Sequence, residues 1–329
     1  MSFSTFTPTS TAEEVATALT EEIKDKNVLI TGTSINRLGF EVARVIAKHA
    51  NLSRLSEEAI KNETPHANIR NCKSTYLPLP PFAEPPQRSS PVRGPSTFVV
   101  TIHNAAASIA AFRLTADNLE AQIATRPPFL FTKLILGKIF AAGSSGYIPR
   151  VVFLSSSVHA AGTGVDLEQL EHPVAEKQTA LSAYFAAKAA AVIDAIELSK
   201  RSKGKINAYS VSPGAIFTNI SQKEESQADF KAAGMLTADG QPNMQAFNWK
   251  GIPEGAATTV MAAFDPRLDG ELFVRRYSQL MSLAPAVPGA YIDETVVANE
   301  NIAPHSSDPA NGAKLWEVTE RIIGEKFTF

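Results

Sequence analysis

The sequence predicts an α/β fold, a doubly wound parallel sheet in a single domain, and three observations carry that prediction. Short apolar runs recur at Asn27–Thr31, Thr97–Ile102, Arg150–Ser155 and Lys205–Val211, with the length and hydrophobicity of strands buried on both faces. Longer segments of helical pattern separate them, the alternation that builds βαβ units. The 329 residues, 44% of them hydrophobic, suffice for one large core.

Taken in order, residues 1–26 are an N-terminal extension and residues 27–329 the domain. Met1–Thr20 is rich in Ser and Thr, carries Glu13 and Glu14, and lacks the basic start and apolar run of a signal or transit peptide. Helices are expected at Gly39–Ala50, Ser56–Asn62, Asp117–Ala124, Phe129–Ala142, Ala180–Lys200, Gly255–Ala263 and Ala313–Lys326. Leu77–Pro95, LPLPPFAEPPQRSSPVRGP, has too much proline for a helix interior and reads as a surface excursion within the domain. There is no internal repeat.

With 31 basic and 33 acidic residues the net charge is -2, so no whole-molecule field recruits nucleic acid or an anionic membrane. The single cysteine, Cys72, excludes an intramolecular disulfide or thiolate metal cluster and favours a reducing compartment, with the cytoplasm as the expected location. No window reaches the ~18 consecutive apolar residues of a membrane span. The ligand must therefore be recognised locally.

Chemistry-bearing residues fall at the strand ends. NVLITGTSINRLGFEVARVIA is a strand, a turn and an amphipathic helix, which aims backbone N–H groups and a helix N-terminus at one spot suited to a pyrophosphate. Gly32 permits the turn, and Gly39 lets helix and strand pack closely. Tyr184 and Lys188, four apart in a long helical pattern, share a face, and an ammonium beside a phenol is expected to lower its pKa from ~10. Ser155-Ser156-Ser157 places hydroxyls at the carboxyl edge of the sheet, where open α/β sheets bind ligands. Ile102-His103-Asn104-Ala105-Ala106 and Val211-Ser212-Pro213-Gly214-Ala215-Ile216-Phe217-Thr218 end two further strands. Each piece alone reads equally well as a turn or a cap; five of them in sheet order do not.

The set TG…LG, HNAA, LSSS, YFAAK and VSPGAIFT, in that order, resembles the short-chain dehydrogenase/reductase superfamily, which has a Rossmann-type fold. The 28-residue step from Ser156 to Tyr184 and the tail IAPHSSDPANGAKLWEVTERIIG resemble its fungal retinol-dehydrogenase-like members. The resemblance implies that Tyr184 is the general acid, that Lys188 lowers its pKa and holds the nicotinamide ribose, and that Ser156 orients the substrate oxygen, with Ser157 as its fallback. It also implies a cofactor site formed by Gly32, Ser34, Arg37, Leu38, Gly39, Asn104, Ala105, Lys188, Pro213, Gly214 and Thr218. A homo-oligomer through the Ala180–Lys200 helix is implied in the same way.

The chain also departs from the family. Asn36 and Arg37 stand where a phosphate-loop glycine is usual; Asn36 tolerates positive φ, and Arg37 can pair with a phosphate. The first helix runs from Lys48-His49-Ala50 straight into Asn51-Leu52-Ser53-Arg54, so the second strand is expected to be missing and the adenosine site to lack a wall. The helix asparagine that relays protons to the lysine has no counterpart in Ala124–Pro128, and Glu271–Pro288 is an extra segment. Losses and a gain confined to sharp segments are the pattern of altered exon boundaries.

The expected function is hydride transfer between NADP(H) and a small-molecule substrate, a hydrophobic carbonyl or alcohol, with NAD as the alternative cofactor and Arg37 as the basis for preferring NADP. The rival is a non-catalytic Rossmann remnant acting as a binding module, favoured by the missing strand. An extended-family epimerase or dehydratase fits the HNAA and VSPG pieces less well.

Overall fold

The computed structural model describes residues 5–54, 69–71, 97–105, 109, 111–115, 118–124, 127–143, 147–217, 224–269 and 288–329. Its central sheet contains β1 (Asn27–Thr31), β2 (Asn51–Arg54), β3 (Ile69–Asn71), β4 (Val100–His103), β5 (Arg150–Leu154) and β6 (Asn207–Ser212). A short pair, β7 (Ala215–Ile216) and β8 (Trp249–Lys250), forms a second sheet, and β9 (Tyr291–Asp293) and β10 (Val296–Val297) complete the first. The order is β10-β9-β6-β5-β4-β1-β2-β3, parallel throughout except for β10.

Strands buried on both faces need helices on both. On one side α1 (Ala12–Ala18), α2 (Leu38–Ile46) and a helix over Ile252–Phe264 share a core with Val28, Ile30, Val100, Ile102, Val152 and Val211. On the other, α3 (Pro127–Phe140) and α4 (Ala180–Arg201) cover Leu29, Val151, Phe153 and Ala208, and Trp316 of α5 (Pro309–Ile323) packs beside them. Residues of the N-terminal extension, from Phe6 to Ile23, lie in the first of these cores, with the Thr11–Glu14 capping box starting α1. Local signals set the other ends: a Thr179–Ser182 capping box opens α4, and left-handed Gly324 closes α5.

The expected missing strand is present. β2 pairs in parallel with β1, Asn27 opposite Asn51 and Ile30 opposite Arg54, and β3 continues the sheet beyond it. It contains no β-branched residue, so propensity was silent; what makes it a strand is the β1 edge, whose backbone groups it satisfies. Asn51 reinforces the join, its N–H donating to the Lys26 carbonyl at 2.9 Å and its amide to the Asp25 carbonyl at 3.1 Å. This strand also ends α2 at Ile46 rather than Ala50, because residues 47–50 turn the chain back toward β1. The helix expected at Asp117–Ala124 starts only at Ala121, preceded by a bridge from Leu114 to Glu120, whose carboxylate caps the Gln122 and Ile123 N–H groups. The Ser56–Asn62 helix, the Leu77–Pro95 excursion and nearly all of Glu271–Pro288 lie outside the described residues.

Candidate functional site

After β1 the chain crosses to β2 and β3 on one side and returns to β4 on the other, so β1 and β4 part their connections at a switch point. Two loops meet there. Gly32 takes φ +72°, and a Cβ on it would come within 2.6 Å of Ala105 Cα, so only glycine fits. A Cβ on Gly39 would fall 2.1 Å from Asn104 Nδ2, which shows how closely α2 approaches the end of β4. Asn104 Nδ2 donates to the Gly32 carbonyl at 2.9 Å, and the Ala105 N–H donates to Thr31 Oγ1 at 3.2 Å.

The same place is prepared for a polar ligand. Asn104 Oδ1 is buried without a hydrogen-bond partner. The N-terminus of α2 follows the exposed Ser34–Asn36 loop and has Arg37 as its cap residue with no side-chain cap, the Phe40 and Glu41 N–H groups donating to the Arg37 carbonyl at 3.0 and 3.2 Å. Asn36 holds φ +58°, the left-handed conformation expected of it. Arg37 and Leu38 are half-buried at the helix start. An orphaned amide oxygen, two close-packed glycines and an uncapped helix fit a dinucleotide's polar backbone.

The second cluster forms where β5 meets α4. Lys188 Nζ donates to the Leu154 carbonyl at 3.0 Å, and Ser155 Oγ donates to the Lys188 carbonyl at 2.8 Å. These two bonds tie the strand end at Leu154 and Ser155 to α4 at Lys188, one helical turn after Tyr184. Lys188 Nζ sits 5.5 Å from the centre of the Tyr184 ring. The expected lowering of the phenol pKa is not found: burial pushes Tyr184 up to about 12 and Lys188 down to about 8. Desolvation wins because the ammonium turns to a backbone carbonyl rather than to the phenol. Tyr184 therefore holds its proton at neutral pH.

Ser156 is extended (φ -169°, ψ 158°) and its Oγ accepts from the Val158 N–H at 3.4 Å; Ser157 is exposed, and its N–H donates to Ser212 Oγ at 3.1 Å. Pro213 and Gly214 follow β6 on the same sheet edge. Thr218 lies outside the described residues.

Three contributions had no separate signal in the sequence. Glu294, in the β9–β10 turn, reaches over Gly214 and pairs with Lys250, which also donates to the Pro8 carbonyl at 2.7 Å. Ser212 holds the Ser157 backbone. An apolar cluster of Ile109, Phe230 and Leu236, with Phe217, Met235 and Trp249, packs around Tyr184. The segment after Thr218 supplies much of that wall, and its chemistry is legible only once folded.

No protein-family model matches the chain. Curated relatives do: Short-chain dehydrogenase TIC 32 B, chloroplastic, of Brassica napus is 29% identical over 344 residues, covering 95% of this chain and 93% of its own. Oxidoreductase calI of Penicillium decumbens is 26% identical over 326 residues, covering 91% and 87%. Among solved structures, the Pseudomonas aeruginosa RhlG/NADP active-site complex aligns with a TM-score of 0.53 at 16% identity, over 82% of this chain and 94% of that one, a likeness of fold alone. Among the described residues no helix is long and apolar enough to cross a membrane.

Proposed function

We propose that this chain, like the short-chain dehydrogenases and oxidoreductases it resembles, is an oxidoreductase of the short-chain dehydrogenase/reductase superfamily, and that it transfers hydride between NADP(H) and a hydrophobic ketone, aldehyde or secondary alcohol. The observation that carries the reading is the double tie between β5 and α4, which joins the strand end that leads into Ser156 to the helix that bears Tyr184, whose ring packs against an apolar cluster. Bound cofactor supplies the hydride; the protein positions and polarises. Tyr184, kept protonated by burial, gives its proton to the carbonyl oxygen, while the Ser156 hydroxyl holds that oxygen. Lys188 would hold the nicotinamide ribose, and Pro213 and Gly214 would face the nicotinamide. Gly32, Ser34, Leu38 and Gly39 would cradle the pyrophosphate at the α2 N-terminus, with Asn104 and Ala105 on the adenosine side. The aromatic and aliphatic wall supports an apolar substrate, and a single cysteine supports a cytoplasmic location. A homo-oligomer through α4 belongs to the same reading. The remnant reading rested on a missing strand, and β2 removes that ground.

The deciding experiment is a fluorescence titration with NADPH and NADH. Binding of NADPH is expected, and no binding of either cofactor overturns the proposal. Arg37→Ala should weaken NADPH by ~1.5–3 kcal/mol more than NADH if its guanidinium meets the extra phosphate. Equal losses would mean that Arg37 only shapes the loop.

Lys188 sets a pH dependence. Its ammonium loses its proton as the pH rises through about 8, so NADPH affinity should be greatest below that pH and decline above it. The Lys188→Met variant should bind weakly at every pH, with no decline. A wild-type affinity that rises across the same range would remove Lys188 from the site.

A further inference from the structure

We infer that His159 is a positioning residue that fixes the backbone carrying the Ser156 hydroxyl. The inference rests on Ser156 being the group that orients the substrate oxygen.

The imidazole is 1% exposed, two residues beyond the serine triplet on the short helical turn Ser157–Ala160. The Ser156 carbonyl accepts two hydrogen bonds from this one residue, from the His159 N–H at 3.0 Å and from Nδ1 at 2.9 Å. A carbonyl cannot donate, so Nδ1 carries the proton. Nε2 in turn accepts the Ala303 N–H at 3.4 Å, which suits the neutral ring. The ring lies 4.7 Å from that of Tyr291, and the His159 carbonyl accepts from His305 Nε2 at 2.9 Å. Asp293, His305 and the Asn301 carbonyl complete its surroundings.

The consequence lies in one peptide plane. Its carbonyl, on Ser156, is held by His159, and its N–H, on Ser157, is held by Ser212 Oγ at 3.1 Å. With both ends pinned, ψ of Ser156 has no freedom, and the hydroxyl is placed by its side-chain torsion alone. The hydroxyl's own bond to Val158, at 3.4 Å, is too long to do this. The ring packs against Tyr291 and so joins the turn after β5 to β9.

The test compares His159→Phe with His159→Asn in the full chain. Phenylalanine keeps a ring against Tyr291 but has no donor; the asparagine amide restores a donor near Nδ1. Amide hydrogen exchange of residues 156–160, the NADPH dissociation constant, thermal unfolding and octanal-dependent NADPH oxidation are measured for each. In His159→Phe the turn should exchange faster and kcat should fall by up to ~10²-fold, the scale of an ångström-sized misplacement. NADPH affinity should stay unchanged, and His159→Asn should recover most of both losses. Wild-type kcat in His159→Phe, unaltered exchange of the turn, or an asparagine variant no better than phenylalanine would each overturn the inference. Absence of wild-type turnover with octanal would count against the apolar-carbonyl reading instead, and the exchange measurement would still decide whether His159 holds the turn.

Discussion

Tyr184→Phe is expected to lower kcat by ~10²–10⁴-fold, the contribution of a positioned proton donor, with fold and NADPH affinity close to wild type. The separation follows from where the ring sits. Its body packs in the apolar cluster with Leu236, Phe217 and Trp249, and phenylalanine fills that space equally well. Only the phenolic oxygen is removed, and burial keeps that oxygen protonated through neutral pH. The measurement is turnover of NADPH with an apolar aldehyde, alongside a cofactor titration and thermal unfolding. A variant that retains most of its turnover would place the proton donor elsewhere; one that fails to unfold cooperatively would show that the hydroxyl is structural.

The second large effect is on stability and arises at the opposite end of the sheet. Arg150 opens β5 and is 2% exposed. Its Nη2 donates to Asp269 Oδ1 at 2.6 Å and to the Asp265 carbonyl at 2.8 Å, while Nη1 donates to the Ala262 carbonyl at 3.1 Å. One guanidinium thus ties the central strand to the end of the Ile252–Phe264 helix and the turn beyond it. Arg150→Met should cost ~3–5 kcal/mol, because it removes the charge that pairs with Asp269, leaving that carboxylate only the Asn207 amide at 3.4 Å, and takes the guanidinium donor from two carbonyls. The companion Arg150→Met/Asp269→Leu should recover part of that loss, since an apolar pair requires no compensating charge. Denaturant unfolding of the three chains decides the matter. Equal stability of wild type and Arg150→Met would mean that water replaces the guanidinium. NADPH affinity should not change, as this network lies at the start of β5 and the candidate site at its end.

Four strands of the sheet, β1, β4, β5 and β6, and the residue spacings that propose the candidate site were legible in the sequence because the evidence there is local. Asn27–Thr31 and Arg150–Leu154 are apolar runs wherever they are read. Tyr184 and Lys188 share a helical face because of their spacing, and Gly32 marks its own turn by lacking a side chain. The order of these pieces along the chain was enough to predict the fold class and to bring out the resemblance to short-chain dehydrogenases.

What only the tertiary structure decided depends on partners distant in sequence. β2 is a strand because β1 offers an unpaired edge, a property of β1 that Asn51–Arg54 does not carry in its own residues. Tyr184 is pushed up rather than down because burial dominates its surroundings, while Lys188 donates to the Leu154 carbonyl, 34 positions away, rather than to the phenolic oxygen. His159 reads as one more polar residue after a serine triplet until Ala303 and Tyr291 close over it. In each case the sequence by itself determined which groups were available, while desolvation and hydrogen-bond geometry, which exist only after the chain has packed, determined what each group does.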